Sequence, residues 1–128
     1  MQLDKSVVDG VHVLTPKKDL MGGPETRDLE EAIEAVESES PRVVVDLGRI
    51  SFINSTGLGS LIAAHLRCQK RNGWLRIARP SRRIKNVFLI TRLSFELNTF
   101  DSVEDALRGG PADGPQSSES LDPMGGKS

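Results

Sequence analysis

Residues 52–59 read FINSTGLG and form the most informative segment of this chain. Asn54, Ser55 and Thr56 follow one another between an apolar stretch and a helical pattern, and all three are residue types favoured at helix N-caps. A helix N-terminus offers free backbone N–H groups and the positive end of a dipole, so a phosphate on a hydroxyl here is compatible with the local structure. The pattern leaves two interpretations: a simple cap, with Gly57 and Gly59 allowing close packing, or a regulated hydroxyl at the start of a helix.

Apolar periodicity predicts a strand before this segment and a helix after it. Residues 42–47 contain VVV, which is typical of a central parallel strand buried on both faces. The helix is predicted to end at Asn72-Gly73, which suits a left-handed stop. Its apolar positions are Leu58, Leu61, Ile62, His65, Leu66 and Cys68.

The N-terminal third is predicted to be a β-hairpin followed by a helix. Residues 2–8 and 11–15 are β-prone and flank Asp9-Gly10, the strongest short hairpin signal because both turn residues must accept positive φ. A helix is then expected to continue until Pro41 ends it. It begins at Pro24, and its apolar positions are Leu29, Ala32, Ile33 and Val36.

The rest of the chain is predicted to add two strands, two helices and a tail. The strands are Trp74–Ala78 and residues 97–100; one helix follows Ser81 and carries Ile84, Val87, Phe88 and Leu93, and a short one follows Ser102, with Asp105 three residues on. Residues 111–128 have too few apolar side chains to offset their ordering entropy, so we expect a disordered tail rich in Gly, Pro and Ser. The alternation of strands and helices predicts one α/β domain over residues 1–110, with a mixed, partly parallel sheet and about four packed helices.

Composition excludes several classes of protein. With 128 residues and 37% hydrophobic side chains, the chain suits a single small domain. No apolar run approaches the roughly 18 residues of a membrane span, and the N-terminus lacks the pattern of a signal peptide. Cys68 is the single cysteine, which rules out an internal disulfide, and no Cys/His cluster is spaced for zinc. We therefore expect a cytoplasmic protein without metal, cofactor or membrane association.

The net charge of −1 hides an uneven distribution. Residues 47–95 hold ten basic side chains and no acidic one, whereas the segments on both sides are acidic. A solvated basic face is the first interpretation, an acidic protein partner the second and nucleic acid the third, because aromatic side chains are sparse among the basic ones. No direct nucleic-acid partner is therefore predicted. Most of the basic residues fall in one stretch: Arg67, Lys70, Arg71, Arg76, Arg79, Arg82, Arg83, Lys85 and Arg92.

The sequence lacks the motifs of common enzymes. Gly57 and Gly59 match two glycines of a dinucleotide-binding fingerprint, but Ile62 occupies the third position and the stretch without acids removes the ribose ligand. His12 and His65 are far apart without a patterned nucleophile, so structural or surface roles are favoured for both. We therefore predict a binding protein rather than an enzyme.

The run FINSTGLGSLIAA resembles the STAS domain of bacterial anti-sigma factor antagonists, whose signature is Asp-Ser-Ser/Thr-Gly-Leu/Ile/Val-Gly at the start of the second helix. It follows a VVVDL strand and an N-terminal hairpin and helix, so the resemblance extends over about residues 1–110. It implies a STAS fold and a small bacterial cytosolic regulator without catalytic activity. Such a protein binds an anti-sigma factor that is also a serine/threonine kinase, and so regulates transcription indirectly. Phosphorylation of the hydroxyl just before the first glycine releases the partner.

Carried over by position, this resemblance implies that Thr56 is the phospho-acceptor, with Ser55 as the second candidate. It further implies that Gly57, Leu58 and Gly59 form the helix entry and, with Asn54, the partner contact. A PP2C-type phosphatase is implied as a further partner.

The sequence departs from the family pattern at two places. Asn54 stands where the family has an aspartate before the hydroxyl pair. In the loop after the second strand, Met21 or Gly22 falls where the family commonly has an acid, and Asp19 is the nearest substitute. These departures leave open a second function, that of a non-switching STAS subunit in a signalling scaffold or a lipid-transport complex.

Overall fold

The computed structural model describes residues 3–92 and 97–110 of the chain. Strands β1 (Leu3–Val8) and β2 (Val11–Pro16) pair antiparallel and are joined by a two-residue turn. Asp9 has φ 52° and Gly10 has φ 81°, so both turn residues are left-handed, as a primed hairpin turn requires. The predicted hairpin is confirmed.

The remaining elements follow in the predicted order. They are α1 (Pro24–Glu37), β3 (Arg42–Asp46), α2 (Ser55–Lys70), β4 (Trp74–Ala78), α3 (Arg82–Ile90), β5 (Asn98–Phe100) and α4 (Val103–Arg108). The sheet has the order β1-β2-β3-β4-β5, antiparallel between the first two strands and parallel from β2 onward. The prediction of a mixed, partly parallel sheet with four helices is therefore confirmed.

The sheet separates two apolar clusters. Because consecutive crossover connections are right-handed and step in one direction along the sheet, α1, α2 and α3 lie on the same face. Val43 and Val45 of β3 point into the larger cluster under these helices, while Val44 points into the smaller cluster under α4. All three valines are fully buried, which confirms the prediction of a central strand covered on both faces.

Two sequence-based details are wrong. Leu66 is 45% exposed, because the buried side of α2 passes through Leu61 and His65, and Leu66 is turned about 100° from His65. Helix α1 ends at Glu37, four residues before Pro41, so the proline is not what ends it. The predictions for Gln2, for Leu93 and for the tail at residues 111–128 fall outside the described residues.

The parallel strands place the informative segment at one edge of the sheet. The carboxyl ends of β2, β3 and β4 meet at this edge, and a loop leaves each of them there. The loop after β3, residues 47–54, leads directly into α2 and is called the β3–α2 loop below. An isolated parallel bridge between Leu20 and Ile53 joins it to the loop that follows β2.

Candidate functional site

Asn54 caps α2 and fastens it to the loop that follows β2. Its Oδ1 accepts a hydrogen bond from the Gly57 N–H at 3.0 Å, which satisfies one of the free donors of the helix end. Its Nδ2 donates to the carbonyl oxygen of Met21 at 2.9 Å, and its backbone N–H donates to that of Leu20 at 3.1 Å. A carboxylate in place of Asn54 could accept from Gly57 but could not donate to Met21. Asparagine therefore makes a loop contact that the family's usual aspartate cannot make.

Ser55 and Thr56 are the first two residues of α2, and both are exposed. Thr56 lies against Gly22: a Cβ atom built on that glycine would lie 2.9 Å from Thr56 Cγ2 and 3.6 Å from Thr56 Oγ1. The φ of Gly22 is +89°, a conformation that favours glycine. Because residue 22 is a glycine, no side chain of this loop covers Thr56 at this contact.

Gly57 and Gly59 differ although they are two residues apart. A Cβ atom on Gly57 would lie 2.4 Å from the carbonyl oxygen of Leu20 and 2.9 Å from Ile53 Cγ1, so only glycine allows this approach. Gly59 has no atom within 4 Å of such a Cβ and faces solvent. The interpretation that both glycines allow close packing is right for Gly57 and wrong for Gly59. Leu58, between them, is 3% exposed and belongs to the core.

Asp19 holds the backbone of the β3–α2 loop. Its Oδ1 accepts hydrogen bonds from the backbone N–H of Ser51 at 2.9 Å and of Phe52 at 3.2 Å. The Ser81 hydroxyl donates to the carbonyl oxygen of Ser51 at 3.1 Å, which ties the same loop to the start of α3. The carboxylate nearest in sequence to the family's acidic position therefore organises the loop, while half-exposed Met21 and Gly22 adjoin the helix entry.

An ion pair holds the base of the loop. Arg79 donates to both carboxylate oxygens of the buried Asp46, at 2.9 Å each, and Asp46 also accepts from the Gly48 N–H at 2.9 Å. The hydrogen bonds that Arg79 donates to Asp46, and the negative charge of Asp46, raise the pKa of Arg79. No local pattern in the sequence indicates this pair, because 33 residues separate Asp46 from Arg79.

The charges around the site favour an anion at the helix entry. Neither α2 nor α3 has an acidic residue in its own first turn, so neither helix compensates its positive end with its own side chains. A carboxylate of α1 does approach α2, where Glu30 Oε2 accepts from the Ser60 hydroxyl at 2.6 Å. Glu25 lies across the adjoining loop, where its Oε2 accepts from the Gly23 N–H at 3.0 Å. Hydrogen bonds from backbone N–H groups, the largest effect being that of its own N–H, lower the pKa of Glu25.

The histidines, the cysteine and the tryptophan lie away from the start of α2. His12 Nε2 is 3.7 Å from a Glu39 carboxylate oxygen, and His65 and Cys68 are buried in the domain. Trp74 is half-buried beside the smaller cluster, as expected for an anchor at the edge of the core.

The basic residues do not form one solvated face, which corrects the first interpretation of the stretch without acids. Arg67 pairs with Glu37 on α1 at 3.1 Å, and Arg79 pairs with Asp46. Arg76 lies on the opposite side of the sheet, where it stacks over Trp74 at 3.6 Å and donates to a carbonyl of α4. Folding therefore brings carboxylates and carbonyls from elsewhere in the chain to several of these cations.

The STAS domain family model matches residues 2–106 of this chain. The chain belongs to the STAS domain family. Several solved STAS structures share its fold. One is an anti-sigma factor antagonist from Mycobacterium paratuberculosis, 26% identical, with a TM-score of 0.72, covering 84% of this chain and 91% of that one.

Two further solved structures are more distant in sequence. A protein of Thermotoga maritima, described as an anti-sigma factor antagonist, is 17% identical with a TM-score of 0.77, covering 84% of this chain and 92% of that one. The Bacillus cell fate determinant SpoIIAA, solved in its phosphorylated form, is 16% identical with a TM-score of 0.65, covering 84% of this chain and 97% of that one. No curated protein is similar enough in sequence to match. Within residues 3–92 and 97–110, none of the helices has the length and apolar character to cross a membrane.

Proposed function

We propose that this STAS protein is an anti-sigma factor antagonist switched by phosphorylation of Thr56. With a free hydroxyl it binds an anti-sigma factor that is also a serine/threonine kinase, and with phosphate it releases that partner, so transcription is regulated indirectly. The observation that carries the proposal is an exposed Thr56 hydroxyl in the first turn of α2, beside a glycine that leaves it uncovered. The 26% identical antagonist and the phosphorylated structural relative support the same role.

The physical basis of the switch is that a phosphate on Thr56 preserves the stability of the domain but lowers its affinity for a partner packed against that residue. The α2 dipole stabilises an anion at its N-terminus by about 0.3–1 kcal/mol, so the fold tolerates the modification. In a close interface, the same charge must lose its water and meet any acidic side chain of the partner. A useful switch needs about 3 kcal/mol of lost affinity, because each 1.4 kcal/mol changes the dissociation constant by about tenfold.

The test combines mass spectrometry with calorimetry. Candidate anti-sigma factor kinases of the source genome are purified one by one, incubated with the full chain and ATP, and the phosphorylated residue is identified. Titration calorimetry then compares wild type with Thr56→Ala, Thr56→Glu and Ser55→Ala. We expect stoichiometric phosphate on Thr56, tight binding by Thr56→Ala and poor binding by Thr56→Glu. Because Asn54 is the cap, Ser55→Ala should behave as wild type in stability and binding.

Two results would change the proposal. Phosphate on Ser55, with Thr56→Glu binding as wild type, would move the acceptor by one residue. Absence of phosphate, with no variant changing affinity, would favour the non-switching subunit of a scaffold or transport complex.

A further inference from the structure

Two arginines at the start of α3 lie beside the β3–α2 loop and have no acidic partner within the part of the chain that the structure describes. Arg82 and Arg83 are exposed, and the guanidinium of Arg83 lies 4.6 Å from the centre of the Phe52 ring. The Ser81 hydroxyl, bonded to the Ser51 carbonyl, fixes this turn of α3 against the loop. Over the described ranges, 3–92 and 97–110, no salt bridge joins Arg82 or Arg83 to a carboxylate.

The position of these two charges in the helix works against the stability of the fold. They occupy the first two positions of α3, where the positive helix end favours acidic side chains and disfavours basic ones. Some other cations of the same stretch are paired with carboxylates: Arg67 with Glu37, and Lys85 with Asp101 at 3.3 Å. Uncompensated positive charge therefore remains where α3 meets the loop that leads to the proposed switch.

The same helix carries exposed apolar side chains farther along. Leu89 is 64% exposed and Ile90 is 81% exposed. Each lies seven residues, about two turns, after one of the two arginines, so the four side chains share one side of α3. A surface that is basic at one end and apolar at the other suits a protein segment better than a nucleic acid. The phosphate backbone of a nucleic acid binds best to a surface that is basic along its whole length.

We propose that the α3 surface formed by Arg82, Arg83, Leu89 and Ile90 docks an acidic segment of a partner protein. Charge complementarity is the argument: the arginines offer forked donors to carboxylates, and none of the described residues supplies a carboxylate to them. The identity of the partner as the kinase rests on the proposed function. Docked carboxylates would lie beside the β3–α2 loop, so a phosphate on Thr56 would repel them and promote release.

The first test uses the full chain and a fluorescein-labelled octaglutamate peptide, followed by anisotropy at low and high salt. The variant is Arg82→Glu/Arg83→Glu, in which each glutamate suits the helix N-terminus, so the fold should be retained. The control is Lys70→Glu/Arg71→Glu, which makes the same charge change at exposed positions near the other end of α2. We expect wild type to bind the peptide with salt-sensitive affinity, the variant to lose at least about tenfold and the control to stay within about twofold. No binding by wild type, equal losses in both variants, or tighter binding of a short DNA duplex would overturn the proposal.

A second measurement separates this proposal from the switch itself. If a kinase has been identified, its association rate with Arg82→Glu/Arg83→Glu should fall by at least about tenfold and lose most of its salt dependence. If that variant binds as wild type while Thr56→Glu binds poorly, the docking surface is wrong and the switch stands. If the arginine variant binds poorly while Thr56→Glu binds as wild type, Thr56 is not the switch and the docking surface stands.

Discussion

Replacing Gly57 by alanine should destabilise the domain, because the new Cβ would lie 2.4 Å from the Leu20 carbonyl oxygen and 2.9 Å from Ile53 Cγ1. Overpacking costs about 1–3 kcal/mol, and a backbone oxygen cannot rotate away as a flexible side chain could. Alanine regains at most about 1 kcal/mol of helix propensity. We therefore expect the free energy of unfolding to fall by up to about 2 kcal/mol.

Gly59→Ala is the matched control two residues along the same helix. Its Cβ would meet no atom within 4 Å, so the substitution should add stability of up to about 1 kcal/mol through helix propensity alone. Because the propensity gain is common to both variants, they should differ by the overpacking cost of about 1–3 kcal/mol, or roughly 10 °C in Tm.

Denaturant unfolding followed by fluorescence of the single tryptophan, Trp74, measures this difference. Equal midpoints, or a Gly57→Ala variant more stable than Gly59→Ala, would show that the loop after β2 does not pack on the α2 entry. The contact between Gly22 and Thr56 would then be wrong as well, because the loop after β2 adjoins both Gly57 and Thr56.

Three further predictions concern stability and reactivity. Gly10→Val should lower the free energy of unfolding by about 1–2 kcal/mol, because φ is +81° there; an unchanged denaturation midpoint would contradict the primed turn. Truncation after Gly110 removes a segment with Leu121 and Met124 as its sizeable apolar residues, so the Tm should stay nearly constant, and a loss of several degrees would place the domain boundary later. Burial, followed by the charge of Glu37, raises the pKa of the Cys68 thiol; Ellman's reagent at mildly alkaline pH should therefore modify Cys68 only after unfolding, and rapid labelling of the folded protein would contradict its burial.

Local patterns in the sequence were sufficient to predict the type and the order of the helices and strands. Asp9-Gly10 predicted the hairpin, because few residue pairs accept two positive φ values in succession. Ser81 predicted the start of α3, where its hydroxyl accepts from the Ile84 N–H at 3.2 Å. The valines of β3 predicted a central strand, since only a strand covered on both faces tolerates consecutive β-branched apolar residues. Each of these signals depends on neighbours within a few residues, which a sequence displays directly.

The sequence by itself also located Asn54, Ser55 and Thr56 at a helix entry, but it did not determine what surrounds them. Tertiary structure decided that Gly22 packs on Thr56 and that Asp19 holds the loop before α2, contacts that join residues more than 30 positions apart. It also decided that Arg67, Arg79 and Lys85 gain carboxylate partners, while the two arginines at the start of α3 gain none among the described residues. Such contacts depend on where parallel strands end side by side, and strand adjacency is set by crossover connections and packing of the whole sheet rather than by any local pattern.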